Sequence, residues 1–356
     1  FVQLDIAIES RVLFEQYVYV TPHARSLGAH YEALISVLDG FVHKAKPLTE
    51  MRVVEMGSNN GAFLRAIRPS VRSVVGIEPA KNIAEQANRD GIPTIPEFFT
   101  EDSVQELREK VGPVDMFVAR HCMAHLDDLP GTLRAISEIL SDDGIAVIEN
   151  AYLRSTLNGT QFDQIYHEHM SYFALRSLSR LMRACGLYVQ HAHVAGVHGG
   201  SIVVIASKKG GPVTAEHDNV WNEEDLLDEE LHQFAFRTHA ALGGLRESVK
   251  HLLSQGFEIH TYGATAKGNT LLNAIGLSAD DIPYAVDSTP LKQGKYLPGS
   301  GVLVMSEQSA TQVQPDIYLL TAWNYAEEIM SKQWAFREAG GRFLVPLPFP
   351  RLIGKR

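Results

Sequence analysis

Residues 166–169 read Tyr166-His167-Glu168-His169, four titratable side chains in a row within an aromatic stretch from Tyr152 to Phe173. An imidazole ionises near neutral pH, which suits it to taking a proton from a substrate. A neighbouring carboxylate or phenol can orient that imidazole or share its proton. In an extended segment Tyr166 and Glu168 would share one side, with His167 and His169 on the other. In a helical turn Tyr166 and His169 would share a side instead. The spacing leaves both arrangements open, and the competing bland reading is a hydrogen-bonded cluster that stiffens a loop.

A second constellation begins at Glu55 and runs Glu55-Met56-Gly57-Ser58-Asn59-Asn60-Gly61 between a short apolar strand and a helix start. Glycines at such a turn let the backbone approach a ligand closely, and the helix start offers free N–H donors. An acidic residue ending the next strand, Glu78 before Pro79, can accept both hydroxyls of a ribose. The Gly-x-Gly-x-x-Gly pattern of dinucleotide folds is not met, because no middle glycine admits a pyrophosphate. The loop instead resembles the S-adenosylmethionine loop of class I methyltransferases, with Glu55 near the methionine moiety and Glu78 on the ribose. Gly57, Ser58, Asn60, Gly61, Glu78 and Pro79 are the expected contacts, and an ordinary tight turn is the alternative. His121 and His125 follow another strand at i, i+4 spacing. No His-Glu-x-x-His pattern or third ligand makes them a zinc site. His121 is expected to line the cofactor cleft; His125 reads either as a cleft wall or substrate-polarising group, or as a satisfied structural histidine.

The elements that must position these groups follow from periodicity. Strands are expected at 51–56, 73–77, 114–119 and 145–149, alternating with helices near 31–45, from 81, over 102–110 and over 131–140, and this implies a doubly wound parallel sheet. A helix at 176–185 and strands at 187–194 and 201–207 finish that layer. Residues 208–219 read as a linker around Gly210-Gly211-Pro212, and one long charged helix is expected over 221–255. A second α/β layer then follows, with strands near 259–262, 282–286, 316–321 and 342–345, and a helix near 325–337.

Composition narrows the class. At 356 residues the chain suits about two domains. Its net charge of −10 offers no basic field for a phosphate backbone. No apolar run reaches the length of a membrane span and nothing N-terminal reads as a signal peptide, so a cytoplasmic protein without membrane or nucleic-acid partners is expected. Cys122 and Cys185 are the sole cysteines; both read as small buried side chains, and no metal is expected.

Four separated motifs add a sharper resemblance. They are Tyr166–His169, His198-Gly199-Gly200-Ser201, the run from Tyr262 through Asn273, and Lys292-Gln293-Gly294-Lys295-Tyr296-Leu297-Pro298-Gly299. In that order they resemble the nucleotide-sugar C-methyltransferases, whose known members include dTDP-4-keto-deoxysugar 3-C-methyltransferases of antibiotic pathways. The resemblance implies a Rossmann-like class I methyltransferase domain followed by a second Rossmann-like α/β domain, with the substrate between them. It also implies S-adenosylmethionine as cofactor and His169 as base, assisted by Tyr166 and Glu168; in such a reaction Tyr166 or His125 could stabilise the enolate oxygen. That family carries an N-terminal zinc module, whose cysteines are missing here. Residues 1–30 accordingly read as its remnant or linker, 31–210 as the methyltransferase domain and 211–356 as the nucleotide-sugar domain.

In the latter, Gly263–Asn269 lacks the Gly-Lys-Ser/Thr ending of a P-loop. Lys267 and the following helix start still suit a diphosphate, and Lys267, Asn269, Lys292, Lys295 and Tyr296 are the expected substrate contacts. A turn with solvated lysines is the alternative there. The implied reaction is methyl transfer to C3 of a 4-keto sugar through an enolate, by a monomer or weak homo-oligomer. An NAD-dependent sugar oxidoreductase and a non-catalytic binding homologue are the competing functions.

Overall fold

The computed structural model describes residues 2–4, 13–14, 20–21, 24–42 and 46–354. The chain divides into two compact units, Phe1–Ser155 with His167–Leu226, and Thr156–Tyr166 with Leu227–Arg356. The stretch 156–166 thus leaves the first unit and returns to it, and residues 211–226 group with the first unit rather than the second. Much of the expected 1–30 segment lies outside the described residues. Its described part includes strand β1 (Val2–Gln3), paired antiparallel with β7 (Ser171–Tyr172).

The first unit is built on β2 (Arg52–Met56), β3 (Ser73–Ile77), β4 (Thr94–Ile95), β5 (Val114–Arg120), β6 (Leu140–Ala151), β8 (Tyr188–Ala195) and β9 (Ser201–Ser207), in the order β4-β3-β2-β5-β6-β9-β8. All adjacent pairs are parallel except those made by β9, which runs against both neighbours. The sheet is therefore mixed, where a parallel one was expected. Apolar residues line both of its faces: Val54, Met56 and Phe117 pack on one side, Val53, Met116 and Val118 on the other. That two-sided burial is the reason these strands read as continuous apolar runs. Strand order reverses between β2 and β5, where a doubly wound sheet places its ligand beyond the carboxyl ends.

Several expected boundaries shift for local reasons. The helix expected over 31–45 occupies Arg25–Val42. The turn at Ser141–Gly144 is a wide bulge inside β6: Val114 pairs with Leu140 and Met116 with Ile145, so four residues bow out opposite Asp115. The expected linker 208–219 contains the start of helix Ala215–Glu223, capped by Thr214, whose side chain accepts from His217 N. The long helix expected over 221–255 is broken at Glu224. Its carboxylate turns inward to accept from Leu175 N, Arg176 N (2.9 Å) and Tyr152 OH (3.0 Å). It thereby satisfies the free N–H groups that open helix Leu175–Ala184. The helix resumes as Leu227–Ser254.

The second unit holds β10 (Ile259–Tyr262), β11 (Tyr284–Val286), β12 (Leu303–Met305), β13 (Ile317–Leu320), β14 (Arg342–Val345) and β15 (Arg351–Ile353), ordered β12-β11-β10-β13-β14-β15. It is parallel except for the edge strand β15. Strands β12 and β15, of three residues each, were not expected from the sequence. Helix Ala266–Ile275 starts inside the Gly263–Asn269 run, because Thr265 caps it by accepting from Gly268 N at 2.9 Å. Lys267 and Asn269 therefore sit in the helix's first turns rather than in a free loop. The helix expected near 325–337 is two short ones, Ala326–Lys332 and Trp334–Glu338.

Candidate active site

At the carboxyl end of β2 the chain turns sharply through residues with left-handed backbone: Gly57 (φ 64°), Asn59 (φ 49°) and Gly61 (φ 72°). A Cβ on Gly57 would sit 2.8 Å from Cys122 Cβ, so glycine is required both by φ and by the loop that follows β5. Glu78, buried at the end of β3, accepts from Asn59 N (2.9 Å) and Ala80 N (3.0 Å), which pins the loop. Burial raises the Glu78 carboxyl, and those two main-chain donors oppose the rise. Half-buried Pro79 follows it. Asn60 Nδ2 donates to Thr21 O at 3.0 Å.

The loop is unusually rich in unsatisfied polar atoms. Glu55 Oε2, Ser58 Oγ and Asn60 Oδ1 are buried with no hydrogen-bond partner among the described residues. Buried polar groups ordinarily have partners, so three orphans around one glycine turn fit a polar ligand seated there. Carboxylate acceptors at these places suit the ammonium of the methionine end of S-adenosylmethionine at Glu55 and its ribose hydroxyls at Glu78.

Behind the loop lies a charged cluster the sequence did not signal. Arg120, ending β5, donates from Nε to Glu55 Oε1 at 3.0 Å and reaches Glu149 on β6 at 3.6 Å. Its guanidinium lies 4.6 Å from the ring centres of both Tyr31 and Phe63. His30 and His121 approach Glu149 at 2.7 and 3.4 Å. Burial pushes Glu55 up to about 7, with Arg120 pulling against it. Burial acts on Glu149 in the same direction, but His121, His30 and Arg120 outweigh it and hold that carboxyl well below its usual range. His121 has left-handed backbone (φ 52°), so it and His125 do not share a helical face. Its ring packs 4.3 Å from that of His198.

His125 and His169 come together, with ring centres 5.1 Å apart, and Tyr172 flanks His169 at 6.4 Å. His125 Nδ1 lies 2.7 Å from the main-chain carbonyl of Glu168. A carbonyl only accepts, so Nδ1 carries the proton and Nε2 of the neutral ring is an acceptor. Burial lowers the His125 pKa, and the hydrogen bond to the Glu168 carbonyl opposes the fall. Residues 167–168 form a turn, neither strand nor helix. Glu168 and His169 belong to the first unit and Tyr166 to the second.

In the second unit, Lys267 Nζ stands 5.0 Å from the centre of the Trp323 indole. Lys292 is held internally: Nζ donates to Ala264 O at 2.9 Å and lies 3.4 Å from Asp287 Oδ2. Asn269 is tied to Asn273, whose Nδ2 donates to the Asn269 carbonyl at 2.8 Å. Lys295 and Tyr296 are exposed. Among the described residues, no group of three His, Cys, Asp or Glu side chains could hold a metal ion, and no helix is long and apolar enough to cross a membrane.

Known proteins align with this architecture. The family described as a methyltransferase domain matches residues 29–192, and the C-methyltransferase C-terminal domain matches 196–348. C-methyltransferase NovU of Streptomyces niveus is 41% identical over 97% of this chain and 83% of its own length. Among solved structures, YcgJ of Bacillus subtilis matches 51% of this chain and 100% of its own at 14% identity and a TM-score of 0.38. The magnesium protoporphyrin IX methyltransferase ChlM of Synechocystis matches 53% and 86% at 9% identity and 0.39. From the strand order, the two family matches and the similarity to NovU, the chain belongs to the C-methyltransferase family and is an S-adenosylmethionine-dependent enzyme of class I fold.

Proposed function

We propose that this enzyme methylates C3 of a 4-keto nucleotide-activated deoxysugar, with His169 as the base. The observation that carries this reading is the His125–His169 pair, with His125 fixed to the Glu168 carbonyl inside the Tyr166–His169 run. A C4 ketone acidifies the neighbouring C–H; His169 takes that proton, and the bonding pair moves into an enolate. Because His125 Nδ1 is committed to a carbonyl, the phenol of Tyr166 is the better donor to the enolate oxygen, and His125 serves to orient. Glu55, Ser58 and Asn60 hold the methionine end of the donor and Glu78 its ribose. When bound there, S-adenosylmethionine supplies an electrophilic methyl group to the nucleophilic carbon and leaves as S-adenosylhomocysteine. Most of the acceleration then comes from positioning. Lys267 anchors the sugar's diphosphate on the second unit, and Lys295 and Tyr296 flank it.

The test incubates the protein with a dTDP-4-keto-deoxysugar in deuterated water, with and without the methyl donor. Deuterium at C3 without donor and one added methyl with it, both lost in H169A, are expected. Binding of S-adenosylhomocysteine with neither exchange nor methylation would defeat the reading. A methyl at C5, the other carbon beside the ketone, would relocate the attack and keep the chemistry.

A further inference from the structure

Asp163 stands outside every motif discussed so far, yet it is fully buried, in the turn Phe162–Gln164 that groups with the second unit. Its Oδ2 accepts from Trp323 Nε1 at 2.6 Å, and its Oδ1 has no hydrogen-bond partner among the described residues. Trp323 follows β13, and helix Ala266–Ile275 follows β10; these two strands are parallel neighbours where the sheet's order reverses. Ligands of open α/β sheets bind at such a point. Lys267, in the first turn of that helix, has its ammonium 5.0 Å from the Trp323 ring centre.

We propose that Asp163 and Trp323 are positioning residues for Lys267: the carboxylate fixes the plane of the indole, and the indole face fixes the ammonium that meets the substrate's diphosphate. This rests on the nucleotide-sugar reading above. A lysine is a point charge on a flexible stem, and it directs a phosphate only if something holds it. An aromatic face does so through cation–π attraction, and a carboxylate on the indole N–H makes that face more electron-rich. Burial lowers the Lys267 pKa, and Asp163 opposes the fall.

The sign of one effect separates this role from a merely electrostatic one. A carboxylate near a diphosphate repels it, so Coulomb's law alone predicts tighter binding once Asp163 is removed. Loss of positioning predicts weaker binding. The experiment titrates dTDP into the full chain by calorimetry, with S-adenosylhomocysteine titrated as a check on the fold. D163A and W323L are each expected to weaken dTDP about tenfold and to leave S-adenosylhomocysteine unchanged within about twofold. D163N keeps an acceptor for the indole N–H and should stay within about threefold of wild type. In turnover, D163A should raise KM for the nucleotide sugar with kcat preserved. W323L supplies the same reading should truncation at Asp163 prevent folding. A folded D163A or W323L that binds dTDP as tightly as wild type, or tighter, overturns the positioning role and leaves the nucleotide-sugar reading standing. A wild-type protein that binds S-adenosylhomocysteine but not dTDP overturns both.

Discussion

Arg120 Nε donates to Glu55 Oε1 across 3.0 Å, joining the carboxyl ends of two parallel strands beneath the glycine turn. Glu55 is buried and its pKa already stands at about 7 with the guanidinium in place. Its free Oε2 is useful to a cationic ligand only when the carboxyl is ionised. Affinity for S-adenosylhomocysteine, which carries an ammonium, should therefore fall as pH drops through about 7. In R120M the Glu55 carboxyl rises further, so the fall should move to higher pH, and R120K should largely restore the wild-type profile. Calorimetric titrations from acid to alkaline pH check this; superimposable R120M and wild-type profiles would refute it.

Gly57→Ala should cost about 2 kcal/mol of stability and abolish detectable cofactor binding. The added Cβ meets another Cβ, that of Cys122 at 2.8 Å, so no rotamer change relieves it. Cys122→Ala in the same chain should accordingly give no rescue. Urea denaturation and S-adenosylhomocysteine titration measure both effects, and a G57A protein of wild-type stability would contradict the account.

Glu224→Ala removes the acceptor of Leu175 N, Arg176 N and Tyr152 OH at once. Leaving a helix start and a buried phenol unsatisfied should cost about 3 kcal/mol. Glu224→Gln, which keeps one acceptor oxygen, should recover roughly half of that. The urea midpoint is the readout, and a loss below about 1 kcal/mol in E224A would rule out the capping role.

His193 gives the first unit an acid limb. Burial, reinforced by neighbouring His191 at 2.9 Å, takes its pKa from 6.5 down to about 4. The unfolded chain then binds more protons than the folded one between those values, so stability rises with pH across that window. The contribution is complete above pH 6.5 and is lost on acidification toward pH 4. H193Q should flatten this part of the stability–pH curve; an unchanged slope would assign the acid limb to other groups.

The glycine turn was legible because it is local. Glu55, Gly57 and Gly61 lie within seven residues, and the left-handed φ at Gly57 and Gly61 is written into glycine itself. Alternating strands and helices were legible for the same reason. The break at Glu224 was not, since the carboxylate leaves its own helix to cap one 49 residues away.

The sequence by itself determined the class of fold, the position of the glycine turn after the first sheet strand and the run of titratable groups at 166–169, because each follows from short-range periodicity or residue type. The tertiary structure alone decided which groups meet. Arg120 finds Glu55 across 65 residues and Trp323 finds Asp163 across 160. His125 takes its tautomer from a carbonyl 43 residues on. Burial and charge pairing act through space, and the desolvation that moves these ionisations exists only after the chain has closed around them.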